Sequence, residues 1–485
     1  MNNLNYKTIY FQELKRYSHD YLKEKIGDIE IINNLINDGY LRFKDGYYTF
    51  KFVGIISIGN IVIRCYPKYL EYNEDNNKLH KKFKQLIHVI RKYKKLYEDI
   101  DFSNIESEDS SSNLLSLMLF FVEDYYENGL YTKFRTVNQI NGIGEINWNK
   151  TINNTIPILK NKKPYYMELV TRYNLNDTNN IIRLLHECII TASSKNLEKM
   201  FLMDLFDLTP VNISDKNIGD FKNSDILRKL EQALYVEFNT HKQKLLRYMI
   251  ALLSKENVFG DNDTLSIYGT STFHVIWEEV CCRVLGDKLY ETLEDLDDEN
   301  FLPNGLNKFG NGDKKLISLI DNPEWCITGN QGIGYVDEEE YEDGIKKNTL
   351  KPDLIVFYNE NFIVFDAKYY VYDYNKEKNI IRKQPGIESI TKQYLYELAY
   401  KDFIEKTGFK SSKNGFLFPS PENKIENAGS VKLGFLSKLV KENNEIFDDK
   451  YDIQLIKLPA SMMYDKYLNG SNLKISKLKI KGLNE

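Results

Sequence analysis

The sequence lacks the apolar run of about 20 residues that a helix needs to span a bilayer. Its longest apolar segment, 114–122, is too short. Its first residues also lack the basic and apolar regions of a secretion signal, so we expect neither export nor membrane insertion. Cysteine is scarce: five residues without CxxC spacing argue against a zinc finger or a disulfide framework. We therefore expect a cytoplasmic protein with reduced thiols.

An excess of positive charge is missing as well. Lys and Arg number 65 against 70 Asp and Glu, which gives a formal net charge of −5. This balance excludes a protein that coats nucleic acid through bulk charge, so any polyanion has to meet a local basic surface. The sequence also has no GxxxxGK[ST] phosphate loop, and we expect no nucleotide hydrolysis by that machinery.

The residues that are present indicate a multidomain α+β or α/β protein. The chain has 485 residues, more than one hydrophobic core usually organises, and 42% of them are hydrophobic. We predict a small α+β module at 1–70, a mainly helical middle domain at 71–255, and a third domain at 256–485. In the third domain, apolar strands interrupted by a helix predict a mixed sheet flanked by helices.

Residues 1–70 combine helical and hairpin signals. An apolar stripe in IEIINNLINDGYL predicts a helix, and Asp45-Gly46 in YLRFKDGYYTF predicts a two-residue hairpin turn. Two interpretations of this module stay open, docking to a partner protein and binding to DNA as a winged-helix-like unit. In the middle domain, the glycines of NGIGEINWNKTI predict a tight turn that leads into a strand.

The strongest functional signal lies in the third domain. Asp353 precedes an apolar run, and twelve residues later Asp366 opens the tripeptide DAK, which ends in Lys368. Two apolar runs, 354–358 and 362–365, predict a hairpin. The start of its first strand lies beside the end of its second strand, so the two aspartates should face each other. Because side chains two apart on a strand share a face, Lys368 should project beside Asp366.

These residue types suit phosphodiester chemistry. Two convergent carboxylates form a hard oxygen site for Mg²⁺. A lysine beside them can orient the attacking water or stabilise charge that develops on the phosphate. Arg382 and Lys383, farther along the chain, are predicted phosphate contacts.

Two helices can complete the site. Upstream, a helix with an apolar stripe carries Glu278 and Glu279, and we favour Glu278 as the acid that reaches the metal, with Glu279 as the rival. His274 lies one turn before Glu278, but Mg²⁺ prefers oxygen ligands. Downstream, Gln393 and Tyr396 lie on the helix after the DAK strand, where they can position Lys368 or a DNA phosphate. A plain helix surface is the alternative for these two residues.

This set of residues resembles the PD-(D/E)xK nuclease superfamily. Glu278, Asp353, and Asp366 with Lys368 are similar to its helix glutamate, its first aspartate and its (D/E)-x-K motif. Gln393 with Tyr396 is similar to its Gln-Tyr helix element. The resemblance implies a PD-(D/E)xK-type sheet in the third domain.

A second resemblance covers nearly the whole chain. The segments VGIISIGNIVIRCYPKY and NGIGEINWNKTI resemble LlaJI-type restriction endonucleases, relatives of the McrC nuclease subunit. That resemblance implies a separate McrB-like AAA+ GTPase as partner, with contact through the N-terminal end of the chain.

Together these features predict a Mg²⁺-dependent endonuclease for double-stranded DNA, the cutting subunit of a restriction or antiphage system. Glu278, Asp353 and Asp366 are expected to hold the metal, while Lys368 and Gln393 assist the reaction. Alternatives are a repair or transposition nuclease of the same superfamily, an RNA substrate, or a non-catalytic interaction subunit on a nuclease fold. The complete Asp/Asp/Lys set argues against the last alternative.

Overall fold

A computed structural model describes residues 6–70, 76–97, 114–221, 224–254, 265–306, 312–321, 325–326, 333–334, 341–342, 345–346, 350–375, 377–378, 380–443 and 453–483. These residues form a mixed α+β structure with several sheets, as the sequence predicted. None of the described helices is long and apolar enough to cross a bilayer.

The described residues form fourteen α-helices. They are α1 (His19–Ile26), α2 (Ile29–Asn37), α3 (Asn76–Tyr97), α4 (Leu114–Asn128), α5 (Trp148–Asn154), α6 (Ile181–Lys199), α7 (Ser224–Tyr235), α8 (Thr240–Leu253), α9 (Phe273–Leu285), α10 (Leu293–Asp298), α11 (Ile387–Ala399), α12 (Lys401–Thr407), α13 (Gly434–Asn443) and α14 (Ala460–Asn469).

The same residues form twenty-two strands. They are β1 (Lys7–Gln12), β2 (Leu41–Lys44), β3 (Tyr47–Phe50), β4 (Val53–Ile58), β5 (Ile61–Tyr66), β6 (Phe134–Ile140), β7 (Glu145–Ile146), β8 (Ile158–Lys160), β9 (Lys163–Tyr165), β10 (Val170–Asn176), β11 (Ser266–Thr270), β12 (Trp325–Cys326), β13 (Ile333–Gly334), β14 (Tyr341–Glu342), β15 (Ile345–Lys346), β16 (Leu354–Tyr358), β17 (Asn361–Ala367), β18 (Asp373–Asn375), β19 (Ile380–Arg382), β20 (Ser411–Ser420), β21 (Glu426–Val431) and β22 (Ile453–Pro459).

The chain divides into two compact units. The first unit comprises Met1–Ile9, Ile55–Ile63 and Asp101–Tyr268, and the second comprises Tyr10–Gly54, Arg64–Ile100 and Gly269–Glu485. This division differs from the expected three regions, because residues 1–70 are shared between the units and most of 10–54 packs with the C-terminal part. The division into three domains at 1–70, 71–255 and 256–485 stays a prediction.

The second unit contains a five-stranded mixed sheet in the order β16-β17-β20-β22-β21. Strands β17, β20 and β22 are mutually parallel, while β16 and β21 are antiparallel to their neighbours. Helices α9 and α11 pack against β17, and the aromatic and aliphatic side chains of the sheet form buried clusters with α10 to α13. The predicted mixed sheet with flanking helices is therefore confirmed at this level.

Two hairpin turns in the second unit follow the sequence closely. Asp45 and Gly46 have φ angles of 55° and 80° and join β2 to β3, as predicted. Asn359 and Glu360, with φ angles of 47° and 61°, join β16 to β17. Positive φ at both central residues matches the twist of the flanking strands, so these turns fix the register of each hairpin.

The first unit is mainly helical, with α4 and α6 to α8 packed together. It also contains four strands that the sequence did not predict: β6 and β10 join β7 in a three-stranded sheet of order β6-β10-β7, and β8 forms a hairpin with β9. The predicted tight turn in NGIGEINWNKTI is present, since Asn141 and Gly144 have φ angles of 48° and 107° just before β7.

Candidate active site

The β16–β17 hairpin brings the two predicted aspartates together. Leu354 pairs with Phe365, so the residues just outside that pair, Asp353 and Asp366, lie at the same end of the hairpin. The Oδ2 atom of Asp353 accepts a hydrogen bond of 2.7 Å from the backbone N–H of Ala367. The Asp353 carboxyl group therefore lies against the backbone that carries Asp366, and the two carboxyl groups adjoin.

Burial disfavours the charged form of both carboxyl groups, and neighbouring carboxyl groups add repulsion at Asp353. The pKa of Asp353 is raised well above its usual range by burial and then by the charges of Asp366 and Glu278. Burial also raises the pKa of Asp366, although Lys368 lowers it. A second positive charge near these groups would relieve the repulsion, because a cation favours the ionised carboxylates.

Lys368 projects beside Asp366, as the strand periodicity predicted. Its Nζ atom lies 2.7 Å from Oδ2 of Asp366, and its backbone N–H donates to the carbonyl of Leu417. Burial alone would lower the pKa of Lys368, but Asp366 and Asp353 raise it above its usual value. The lysine is therefore a fixed positive charge at the two aspartates.

Glu278 reaches the site from α9. The predicted apolar stripe of this helix is buried, and Nε1 of Trp277 donates to the carbonyl of Leu417 on β20 at 3.2 Å. This anchor leaves Glu278 half-buried near the strand end. Burial, with a smaller contribution from Asp366, raises the pKa of Glu278 to about 7, although Lys368 lowers it.

Glu279 faces a different charge. Its Oε1 atom accepts a hydrogen bond of 2.8 Å from Nε of Arg283, one turn farther along α9. The structure thus groups Glu278, and not Glu279, with Asp366 and Lys368.

His274 also lies near Lys368. Its pKa is lowered by burial and by the positive charges of Lys68 and Lys368.

Helix α11 places Gln393 and Tyr396 in the interior. The Gln393 side chain is fully buried, and neither its amide oxygen nor its amide nitrogen has a hydrogen-bond partner among the described residues. The hydroxyl of Tyr396 donates to the carbonyl of Lys351 at 2.7 Å, two residues before Asp353. Burial and the charges of Asp366 and Asp353 raise the pKa of Tyr396, which places its ring near both aspartates.

Sequence reasoning missed one charged residue near this site. The Nζ atom of Lys68 lies 4.2 Å from the ring centroid of Tyr369, the residue that follows Lys368. The only signal in the sequence was the place of Lys68 in the segment VGIISIGNIVIRCYPKY.

The donor set at the strand end suits a metal ion only in part. In the part of the chain that the structure describes, no group of three or more His, Cys, Asp or Glu side chains is gathered closely enough to hold one. Two carboxyl groups do adjoin, and Mg²⁺ is commonly held by one or two carboxylates together with water and substrate phosphate. The chemistry of Asp353 and Asp366 therefore fits a hard divalent cation, whereas Glu278 has to move closer to become a third ligand.

Comparisons with known proteins give relatives over most of the chain. Component YdjA of the type II restriction enzyme BsuMI, from Bacillus subtilis (strain 168), is 28% identical over 433 residues, which are 87% of this chain and 81% of the relative. A half-complex of Thermococcus gammatolerans McrB AAA+ hexamers with bound McrC shares 11% identity and a TM-score of 0.41, covering 96% of this chain and 99% of that chain. The family model for LlaJI restriction endonuclease matches residues 52–308 and 335–461. Because these ranges make up most of the sequence, the chain belongs to the LlaJI restriction endonuclease family.

Proposed function

We propose that this chain is the nuclease subunit of a restriction system and hydrolyses phosphodiester bonds in double-stranded DNA. The observation that carries the proposal is the pair of adjoining carboxyl groups of Asp353 and Asp366, with Lys368 in an ion pair with Asp366. Membership of the LlaJI restriction endonuclease family supports the same activity. The mixed sheet, with this set at the end of a hairpin, supports a PD-(D/E)xK-type nuclease fold. The cytoplasm is the proposed place of action.

The proposed reaction depends on Mg²⁺ held by Asp353 and Asp366, with Glu278 as a third ligand. The bound ion would supply positive charge that stabilises the negative charge developing on the phosphate. Lys368, which is already fixed beside Asp366, orients the attacking water or a phosphate oxygen through its Nζ atom. The buried amide of Gln393, which has no partner among the described residues, can hydrogen-bond an internal water and assist from behind the site.

A partner is part of the proposal. The family resemblance implies an McrB-like AAA+ GTPase, and the McrC of Thermococcus gammatolerans is bound to McrB AAA+ hexamers in its solved complex. This sequence has no phosphate loop of its own, so movement along DNA would need nucleotide energy from another protein. We propose that such a GTPase holds and presents the DNA to this chain.

The first prediction tests the proposed activity. Purified protein, with and without the GTPase encoded beside it, is incubated with modified and unmodified plasmid DNA and Mg²⁺. We expect cleavage by the wild type and a loss of about 10²–10³-fold in rate in Asp366→Asn and Lys368→Met, because a charged group at the reacting centre is typically worth that much.

A matched pair of variants controls for general effects of the substitutions. Asp402 and Lys406 form an exposed ion pair of 2.9 Å on α12, so Asp402→Asn and Lys406→Met change the same residue types away from the site. Both controls should cut at the wild-type rate. Wild-type cleavage by the two site variants would refute the assignment, and a folded wild type that binds DNA without cutting would indicate a non-catalytic subunit.

A further inference from the structure

The segment 67–70, which follows β5, is tied to the N-terminal strand by hydrogen bonds. Nε2 of Gln12 donates to the carbonyl of Lys68 at 3.0 Å and to the carbonyl of Leu70 at 2.6 Å. The N–H of Leu70 donates to the carbonyl of Pro67 at 3.1 Å and closes a turn. The backbone around Lys68 is therefore held in one conformation, with its carbonyl groups satisfied by side chains.

One buried carboxylate joins this segment to the strand end of the candidate active site. The Oε2 atom of Glu13 accepts hydrogen bonds from the backbone N–H of Lys68 at 3.2 Å and from the hydroxyl of Tyr369 at 2.5 Å. Glu13 is only 8% exposed, and Tyr369 directly follows Lys368. All of these residues belong to the second unit, so the link lies within one compact body.

The side chain of Lys68 lies over the two tyrosines that follow Lys368. Its ammonium group lies 4.2 Å from the ring centroid of Tyr369 and 5.9 Å from that of Tyr370. The Tyr369 ring also packs against Phe273, at the start of α9, with 5.3 Å between centroids. The Nζ atom of Lys68 forms no ion pair with another described residue; the nearby carboxylate of Glu13 is bonded to Tyr369 and to the Lys68 backbone.

Several positive charges meet at this place. The pKa of Lys68 is lowered by burial and by Lys383, although Glu13 raises it. The pKa of His274 is lowered by burial, by Lys68 and by Lys368. Lys68 and Lys383 thus add positive charge beside Lys368 at the candidate nuclease site, and a DNA phosphate is an anion that such a site would meet.

We propose that Lys68 binds a backbone phosphate of the DNA next to the phosphate that is cleaved. The N-terminal segment thereby supplies part of the nuclease site, with Lys383 as a neighbouring positive group. The inference rests on the proposed nuclease function. A compact ammonium group held over an aromatic ring, and not ion-paired with any described residue, suits a single phosphate oxygen without reading the base sequence.

The competing explanation is structural, since Lys68 could serve only to pack on Tyr369. The two explanations differ in salt dependence. Each phosphate that a protein neutralises on duplex DNA releases counterions and adds about 0.9 to the slope of log Kobs against log salt. Removal of one phosphate-binding lysine therefore lowers the slope by that amount, whereas a packing defect lowers activity and leaves the slope unchanged.

The test measures binding of the full-length chain, with its GTPase if required, to a fluorescent duplex in EDTA over a series of salt concentrations. We expect Lys68→Gln to weaken binding about 10- to 100-fold, the usual range for a hydrogen bond to a charged group, and to lower the slope by about 0.9. Lys68→Arg should restore both quantities. Lys25→Gln is the matched control, because Lys25 also lies over a tyrosine ring, that of Tyr21, on helix α1.

Cleavage in Mg²⁺ is measured on the same variants. A wild-type slope in Lys68→Gln overturns the proposal, whether or not cleavage is lost, because a loss at unchanged slope indicates packing alone. Wild-type cleavage by Asp366→Asn overturns the nuclease proposal instead and leaves the slope of Lys68→Gln to decide the phosphate contact. A folded wild type that binds no DNA overturns both.

Discussion

Glu278 and Glu279 are adjacent on α9 but meet different charges. Glu278 interacts with Lys368 and Asp366, whereas Glu279 is paired with Arg283. We expect Glu278→Gln to lower the cleavage rate by about 10²-fold or more, because it removes a charge from the reacting centre. Glu279→Gln should stay near the wild-type rate. Plasmid cleavage in Mg²⁺ checks the ranking; the reverse order would transfer the role to Glu279, and two unaffected variants would remove α9 from the site.

The pH dependence of stability gives a second prediction at this scale, measured without metal. The pKa of Glu278 is raised by burial from a usual value of 4.5 to about 7. Between these values the folded protein keeps a proton that the unfolded chain has released, so stability falls as pH rises through this window. We expect the melting temperature to fall between pH 4.5 and pH 7 in EDTA, and to fall less in Glu278→Gln than in the wild type.

Glu279→Gln is the control for this measurement. It removes a carboxylate from the same helix whose charge is balanced by Arg283, so its melting temperature should follow the wild-type pH profile with a constant offset. Asp353 and Asp366 titrate in wild type and control alike. A Glu278→Gln profile parallel to that of the wild type would show that Glu278 is ionised throughout, contrary to its burial.

Among the elements, α11 fixes the chain just before Asp353. Tyr396 donates its hydroxyl to the carbonyl of Lys351, so removal of that hydroxyl leaves a partly buried acceptor without its donor. We expect Tyr396→Phe to lower the free energy of unfolding by about 1 kcal/mol, the typical net contribution of one hydrogen bond. Cleavage should also fall several-fold, because the position of Asp353 depends on this anchor. Melting temperature and kcat measure the two effects.

The same helix end offers a matched control. Tyr400 is buried next to α11, and its hydroxyl has no hydrogen-bond partner among the described residues. Tyr400→Phe therefore removes a desolvated group that gains nothing in the folded state, and it should be neutral or stabilising. Equal losses in the two variants would mean that the contact of Tyr396 with Lys351 contributes nothing specific.

The hairpin and the helix of the site could be predicted because their signals are local. Apolar runs on both sides of Asn359 and Glu360 define β16 and β17, and strand periodicity then places Lys368 beside Asp366. The stripe that ends near Val284 likewise showed which face of α9 is buried. Local patterns of this kind need no information from distant parts of the chain.

Other features had no local signal. The hydrogen bond between Tyr369 and Glu13 joins residues 356 positions apart, and no periodicity predicts such a pairing. Strand β6 was missed for another reason: it is exposed along nearly its whole length, so its sequence lacks the alternation that marks a half-buried strand. Gln393 was predicted on a helix surface or in the site, and only the fold shows that it is buried.

At the scale of the whole molecule, the two units change how a partner interface can be tested. Deletion of 1–70 would remove Glu13 and Lys68 from the second unit, together with buried aromatic residues such as Phe11 and Phe50. Loss of GTPase binding in that deletion would not separate docking from unfolding. Single exposed residues have to be changed instead.

Two exposed surfaces can be compared in this way. The hairpin of β2 and β3, within the module predicted to dock a partner, exposes Phe43 and Tyr47. The first unit exposes a denser set of large apolar side chains between residues 134 and 167, among them Phe134, Ile140, Ile143, Ile156, Leu159 and Met167. Large exposed apolar side chains are common at protein interaction sites, and the first unit has more of them in this stretch than the hairpin has, so its set is the stronger candidate.

The last prediction follows from that difference. We expect Ile143→Ser/Leu159→Ser to abolish co-purification with the proposed AAA+ GTPase partner and stimulation of its GTP hydrolysis, because exposed side chains contribute to binding and little to folding. Phe43→Ser/Tyr47→Ser should retain both properties. Circular dichroism and any Mg²⁺-dependent nicking by the chain alone serve as folding controls, since neither surface contains a site residue. If the hairpin variant loses the GTPase and the first-unit variant keeps it, docking belongs to residues 1–70. If both variants keep it, neither apolar surface is the interface.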